Sequence, residues 1–253
     1  MDCVSDSGDV FIGYAATVRW KTFSINYSSI LEQQYGEPTQ IHTSLKKSSA
    51  PEISGSSLEW ASDTLGVEGS WQAIAPPIEH AIFESEMGDI KWRCIAPIAR
   101  AEVHTESQPR LEGLGYAEHI SVSVPPWRLP LDELRWGRFL SDCHHLTWID
   151  WRGPHPLTLV FHNRAAIEGA KVADDEVIVA DGELTISVSG RRVLREGVLV
   201  STALAAIPGI QKVIPSRILN AHESKWCSRG VFRKPGESDV AGWVIHEVVR
   251  WGQ

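Results

Sequence analysis

Basic residues are in short supply in this 253-residue chain. Lys and Arg number 24 against 32 Asp and Glu, a formal charge of −8. General binding to nucleic acid or to an anionic membrane rests on Lys and Arg neutralising phosphates, and no basic block here reverses the balance. The four cysteines (Cys3, Cys94, Cys143 and Cys227) are far apart and form no CxxC pair. A disulfide framework is therefore not expected in a chain of this size. No run approaches the roughly 18 apolar residues of a membrane span. The opening MDCVSDSGDV has no apolar signal core. The expectation is a cytoplasmic protein with reduced thiols and no transmembrane segment, with peripheral membrane contact left open. There is no P-loop and no Rossmann glycine run, so nucleotide chemistry is disfavoured and no cofactor is expected.

Helical periodicity is also scarce. Val200–Ile207 has room for two turns before Pro208-Gly209. Period-two alternation recurs instead. Phe11–Trp20 and Phe23–Leu31 read as a hairpin around Lys21-Thr22. Glu37–Lys47, Ser57–Ser62, Gly66–Gln72 and Glu79–Phe83 read as short strands, and Met87-Gly88-Asp89 as a turn before Ile90–Ile95. Tyr116–Val124, Leu134–Leu140, Leu146–Asp150 and Leu157–Phe161 follow. Val177–Ala180, Leu184–Val188 and Val193–Leu199 come next, with turns at Asp181-Gly182 and Ser189-Gly190, and Gly242–Arg250 closes the chain. Many short strands at this spacing predict an all-β barrel or sandwich. A break near Glu106–Gly113 divides it into two β units, 1–110 and 111–253.

Eleven tryptophans are the compositional outlier. Most belong in a core, but the excess points to an aromatic-lined cavity. Four of them fall in Gly113–Trp151, together with Tyr116, Glu118, His119 and the pair His144-His145. Tyr116 and Glu118 have the spacing that puts both side chains on one face of a strand, with His119 on the other. Glu118 is also readable as a rim carboxylate paired with Arg135 or Arg138, Tyr116 as a core tyrosine, and Trp92 as plain core. In Leu134–Phe139 the alternation is interrupted by Gly137, the mark of a bulge or a close approach. Without a bulge, Arg138 shares the face of Trp136, and an outward, solvated or inter-domain salt bridge is expected for the arginines. Adjacent histidines on a strand point apart, so no metal is expected at His144-His145.

The segments FIGYAATVRWKTFSINYSSIL, GLGYAEH and GWVIHEVVRW resemble the carotenoid 1,2-hydratase (hydroxyneurosporene synthase) and AttH-like superfamily, with tocopherol cyclase a distant relative. The resemblance implies two lipocalin-like β units and acid-initiated chemistry on isoprenoid double bonds in an apolar cavity. It maps the family's Tyr-x-Asp and upstream Trp onto Tyr116, Glu118 and Trp92. Two positions depart from the pattern. The acid is Glu, one methylene longer, and Ile90 stands where a histidine is expected.

Protonating an alkene needs a carboxyl group kept neutral beside an apolar wall. The carbocation then needs electron-rich faces. Glu118 is the candidate acid, Tyr116 its holder or water guide, and Trp92 the cation stabiliser. His119, Trp127, Trp136, Arg138 and Trp148 are candidate binding residues for an apolar small molecule. Quenching by water gives a hydratase and by an internal hydroxyl a cyclase. A pericyclic or isomerising catalyst and a non-catalytic carrier remain the alternatives.

Overall fold

The computed structural model describes residues 1–20, 23–47, 49–179, 183–207, 209, 212 and 214–251. The chain is all-β, with two antiparallel sheets of lipocalin-like type. The first ten strands are β1 (Asp2–Val4), β2 (Val10–Trp20), β3 (Phe23–Gln33), β4 (Gln40–Ser44), β5 (Glu52–Ser54), β6 (Ser57–Ser62), β7 (Val67–Ala73), β8 (Ile78–Ser85), β9 (Gly88–His104) and β10 (Leu111–Val122). They run in the order β4-β3-β2-β1-β10-β9-β7-β6-β5, with β8 paired to β9. The other nine are β11 (Glu133–Leu140), β12 (His145–Arg152), β13 (Leu157–His162), β14 (Ala165–Ile167), β15 (Lys171–Val172), β16 (Glu176–Val179), β17 (Leu184–Val198), β18 (His222–Arg233) and β19 (Val240–Arg250). Their order is β14-β13-β12-β11-β19-β18-β17-β16-β15.

By contacts the chain forms two compact units, residues 1–78 with 94–119, and residues 79–93 with 120–253. The sequence places a division near residue 110. Leu111 opens β10, and that strand stays with the first unit through Gly115 and Tyr116, which pair with Cys3 and Asp2 of β1.

Alternation explains the short strands. β6 reads SLEWAS, burying Leu58, Trp60 and Ser62 and exposing the residues between. The first unit's interior holds Phe11, Ile30, Leu58, Trp60, Trp71, Val103 and Leu111 among others. The second unit's holds Phe139, Leu146, Trp148, Val160, Val177, Ile186, Phe232 and Val244. Indoles are thus part of what fills each unit.

Three expectations change. Ser189-Gly190 is no hairpin turn: β17 runs through it as one 15-residue strand. Gly190 has a φ of +59°, and the pairing with β18 shifts between residues 189 and 192, so the glycine makes a bulge. Val200–Ile207 is not an α-helix. A 3-10 turn at Leu199–Ser201 leads into isolated turns, and the described α-helix is the single turn α1 (Ser216–Leu219). β9 extends from Gly88 to His104, beyond the expected Ile90–Ile95. The expected turns at Lys21-Thr22 and Asp181-Gly182, and Pro208, lie outside the described residues. No helix among the described residues is long and apolar enough to cross a membrane.

Candidate functional site

Tyr116 and Glu118 lie two residues apart on β10, and their shared face brings them together. The Tyr116 hydroxyl donates to Glu118 Oε2 at 2.6 Å. β10 is flanked by β1 and β9 in the sheet. The tyrosine is 2% exposed, whereas Glu118 is partly exposed toward the end of the strand. A third group joins them. Cys94 of β9, buried, has a side-chain hydrogen bond with Tyr116.

Burial, reinforced by Cys94 and Glu118, pushes the Tyr116 hydroxyl well above its ordinary range. Burial, then the Glu118 charge, does the same to the Cys94 thiol. Both groups therefore keep their protons near neutral pH. Tyr116 is a donor toward the carboxyl, and a base at this position is excluded. The sequence gives no sign of Cys94, because its place beside Tyr116 depends on the pairing of β9 with β10.

His119 is exposed. Trp92 belongs to the second unit and is 1% exposed. It meets Trp136 edge to face at 6.1 Å between ring centres and Phe161 at 5.6 Å. Trp148 faces the opposite side of that sheet. Its indole covers Gly137, the neighbour of Trp136, so Trp136 and Trp148 line different faces. Trp127 is half-buried in the 3-10 turn Pro126–Arg128.

β11 pairs with β12 residue for residue from Glu133 to Leu140, so there is no bulge at Gly137. Arg135 and Arg138 consequently face opposite ways, yet both are buried, and the solvated placement expected for them does not hold. Arg135 is paired with Glu133 and Asp174 of its own unit. For Arg138 desolvation is the largest influence. It pulls the guanidinium down to about 9 against the opposing pull of Glu247 and Cys227. Nearby on the same sheet, Arg195 grips Glu223 with contacts at 2.6 and 3.0 Å, and Lys225 pairs with Glu247. Burial pushes the Glu247 carboxyl up, but Lys225, Arg195 and Arg138 outweigh it and hold it below the usual carboxylate range.

His145 opens β12, and His144 stands just before it. His144 Nδ1 lies 3.2 Å from His162 Nε2 and its ring stacks on Phe232. Among the described residues no three His, Cys, Asp or Glu side chains gather as a metal site.

No protein-family model matches the chain. No curated protein sequence matches it either. Solved structures do share its fold. Kievitone hydratase from Nectria haematococca aligns over 98% of this chain and 87% of its own, with a TM-score of 0.57 at 8% identity. CghA aligns over 99% and 87% with a TM-score of 0.60 at 8% identity, and it has also been solved with Sch210972. A candidate AttH from Nitrosomonas europaea aligns over 100% and 90% with a TM-score of 0.59 at 7% identity. At these identities the likeness is one of fold.

Proposed function

We propose that the chain is an acid–base enzyme of the hydratase or cyclase type that acts without a cofactor on an apolar isoprenoid or polyene. Glu118 is the proton donor and Tyr116 the group that positions it. The observation that carries this reading is the 2.6 Å hydrogen bond from Tyr116 to Glu118 Oε2. The fold shared with a protein named as a hydratase supports it.

The bond favours the chemistry in a definite direction. In the protonated form of the enzyme, Glu118 gives its proton from Oε1 to an alkene carbon, and negative charge develops on the carboxylate as the proton leaves. Hydrogen bonds to an ionised acceptor are about twice as strong as neutral ones. The Tyr116 contact therefore strengthens along the reaction coordinate, which is where stabilisation lowers the barrier. Tyr116 holds its own proton throughout, because burial opposes the phenolate. Water, or a hydroxyl of the substrate, then adds to the carbocation and returns a proton to Glu118, closing the cycle. For Trp92 the cation-stabilising role rests on the family resemblance alone.

The test is mass spectrometry of products formed in heavy water from a pooled isoprenoid and polyene extract of the native host, with wild type and Glu118→Gln. Carbon-bound deuterium with wild type only is expected. Solvent oxygen in the product then separates hydration from cyclisation. Equal turnover by both proteins overturns the assignment. A rearranged product without deuterium identifies a pericyclic catalyst, and a ligand returned unchanged by both proteins identifies a carrier.

A further inference from the structure

The second unit carries a shallow cavity of about 670 Å³, widely open to solvent and lined by Arg135, Arg152, Arg191, Asp174, Asp175 and the Val172–Ala173 stretch. It begins where the apolar interior of that unit ends. Along β11 the side that carries Phe139 into the core continues through Gly137 to Arg135 and Glu133.

Most of the charges here are tied strand to strand. Glu133 accepts from Arg135 at 2.6 Å, Arg152 at 2.9 Å and Arg250 at 2.7 Å. Asp150 accepts from Arg152 and Thr158, both at 2.7 Å. Asp174 stands apart from these. It lies in the three-residue link between β15 and β16, and its side chain is 60% exposed. Yet its Oδ1 is 2.5 Å from Nη1 of Arg135, a side chain only 9% exposed. Its backbone carbonyl accepts from Arg191 Nη2. The Arg191 guanidinium lies 5.5 Å over the Trp226 ring. One surface-loop residue thus supplies oxygen to two cavity arginines.

We propose that this cavity binds a small carboxylic acid, and that Asp174 is the internal carboxylate such a ligand displaces. The planar fork of a guanidinium matches a carboxylate in geometry as well as charge. Asp174 shows that an oxygen of that kind reaches Arg135 from the solvent side. The strand-borne acids Glu133 and Asp150 keep Arg135 and Arg152 oriented when Asp174 leaves, so the site does not collapse. The volume exceeds that of a carboxylate alone, and Val172 and Ala173 are apolar neighbours for the body of the ligand. An aromatic or short aliphatic acid fits this description. An internal competitor lowers apparent affinity by the fraction of time it occupies the site.

The test is titration with benzoate and with inorganic phosphate, followed by NMR of the arginine Nε–Hε groups in wild type, Asp174→Asn and Asp175→Asn. Both variants change net charge equally, but the Asp175 carboxylate makes no pair with Arg135. Benzoate is expected to shift Arg135 and Arg191 saturably, with a dissociation constant about fivefold lower in Asp174→Asn. Asp175→Asn should stay close to wild type. Equal gains in both variants mean a net-charge effect and overturn the proposal, as does the absence of saturable shifts at Arg135. Phosphate binding tighter than benzoate overturns the carboxylate assignment. The variants sit in an exposed link, so folding is not at stake. Arg135→Gln, checked for folding by circular dichroism, should lose the benzoate response.

Discussion

The indole of Trp148 lies across Gly137 on the paired strand, where a Cβ would stand 2.3 Å from Cζ2 and 2.6 Å from Cε2. The glycine is there for space, since β11 continues through it without a bulge. His246 Cβ, 2.8 Å away on the other flanking strand, blocks the alternative direction. Gly137→Ala should destabilise the fold by about 3 kcal/mol, the cost of overpacking a tight interior. Urea denaturation checks this, and an unchanged midpoint would show that the indole can move.

Tyr116→Phe removes the donor and keeps the ring. The proposed chemistry then predicts a loss of about tenfold in kcat with little change in KM, because the contact matters most as charge develops. Glu118→Gln should cost far more, about 10²-fold or greater. A Tyr116→Phe enzyme impaired only in KM would assign the phenol to substrate binding.

The four thiols should separate by reactivity. Cys3, Cys94 and Cys227 are buried, and Cys143 is exposed. Burial pushes Cys3 up to about 12 and also raises Cys94 and Cys227. The thiolate is the reactive species. Maleimide should label one thiol in the native protein, mapped by peptide mass spectrometry to Cys143, and all four after denaturation.

Three histidines predict acid sensitivity. His145, His162 and His246 are each pulled down to about 4, chiefly by burial. Neighbouring groups that carry or can gain positive charge add to it: His162, Arg164 and His144 at His145, His144 and Lys234 at His162, Arg191 and Arg138 at His246. In the unfolded chain the same groups titrate near 6.5. Between pH 6.5 and 4 the unfolded state binds more protons, so stability rises with pH across that window and is lost on acidification through it. Each histidine contributes a slope of up to about 1.4 kcal/mol per pH unit. Urea midpoints from pH 8 to 4.5 measure the effect, and a flat profile below 6.5 would contradict these environments.

Arg195 and Glu223 are both buried. Glu223→Gln should cost about 3 kcal/mol, because it removes the charge that two nitrogens of a buried guanidinium grip. Replacing both by Met and Leu should recover most of the loss. A double-mutant cycle by urea denaturation gives the coupling.

Legibility followed periodicity. SLEWAS alternates cleanly, and β6 has the expected boundaries. The alternation in Ile90–Ile95 does not continue along β9 because residues 96–99 are all buried, so the period disappears around Pro97. The full length of β17 is hidden at Gly190 because a Ser-Gly bulge and a Ser-Gly turn look alike in sequence. The Tyr116–Glu118 contact is local and its strand parity foretold the shared face. Cys94 beside Tyr116, and Asp174 on Arg135 from 39 positions away, depend on strand pairing and loop placement that no local pattern encodes.

The continuity of β9 has a consequence for how this chain can be divided. Residues 88–93 of that strand belong to one compact unit and 94–104 to the other, so the 79–93 hairpin is loaned by a stretch whose flanks lie elsewhere. A fragment beginning at residue 120 would lack Trp92 and Phe83, which pack on Trp136, Phe161 and Trp151. Such a fragment would present bare aromatic surface and self-associate. Domain shuffling, split reporters and truncation libraries must therefore keep residues 79–93 with the second unit.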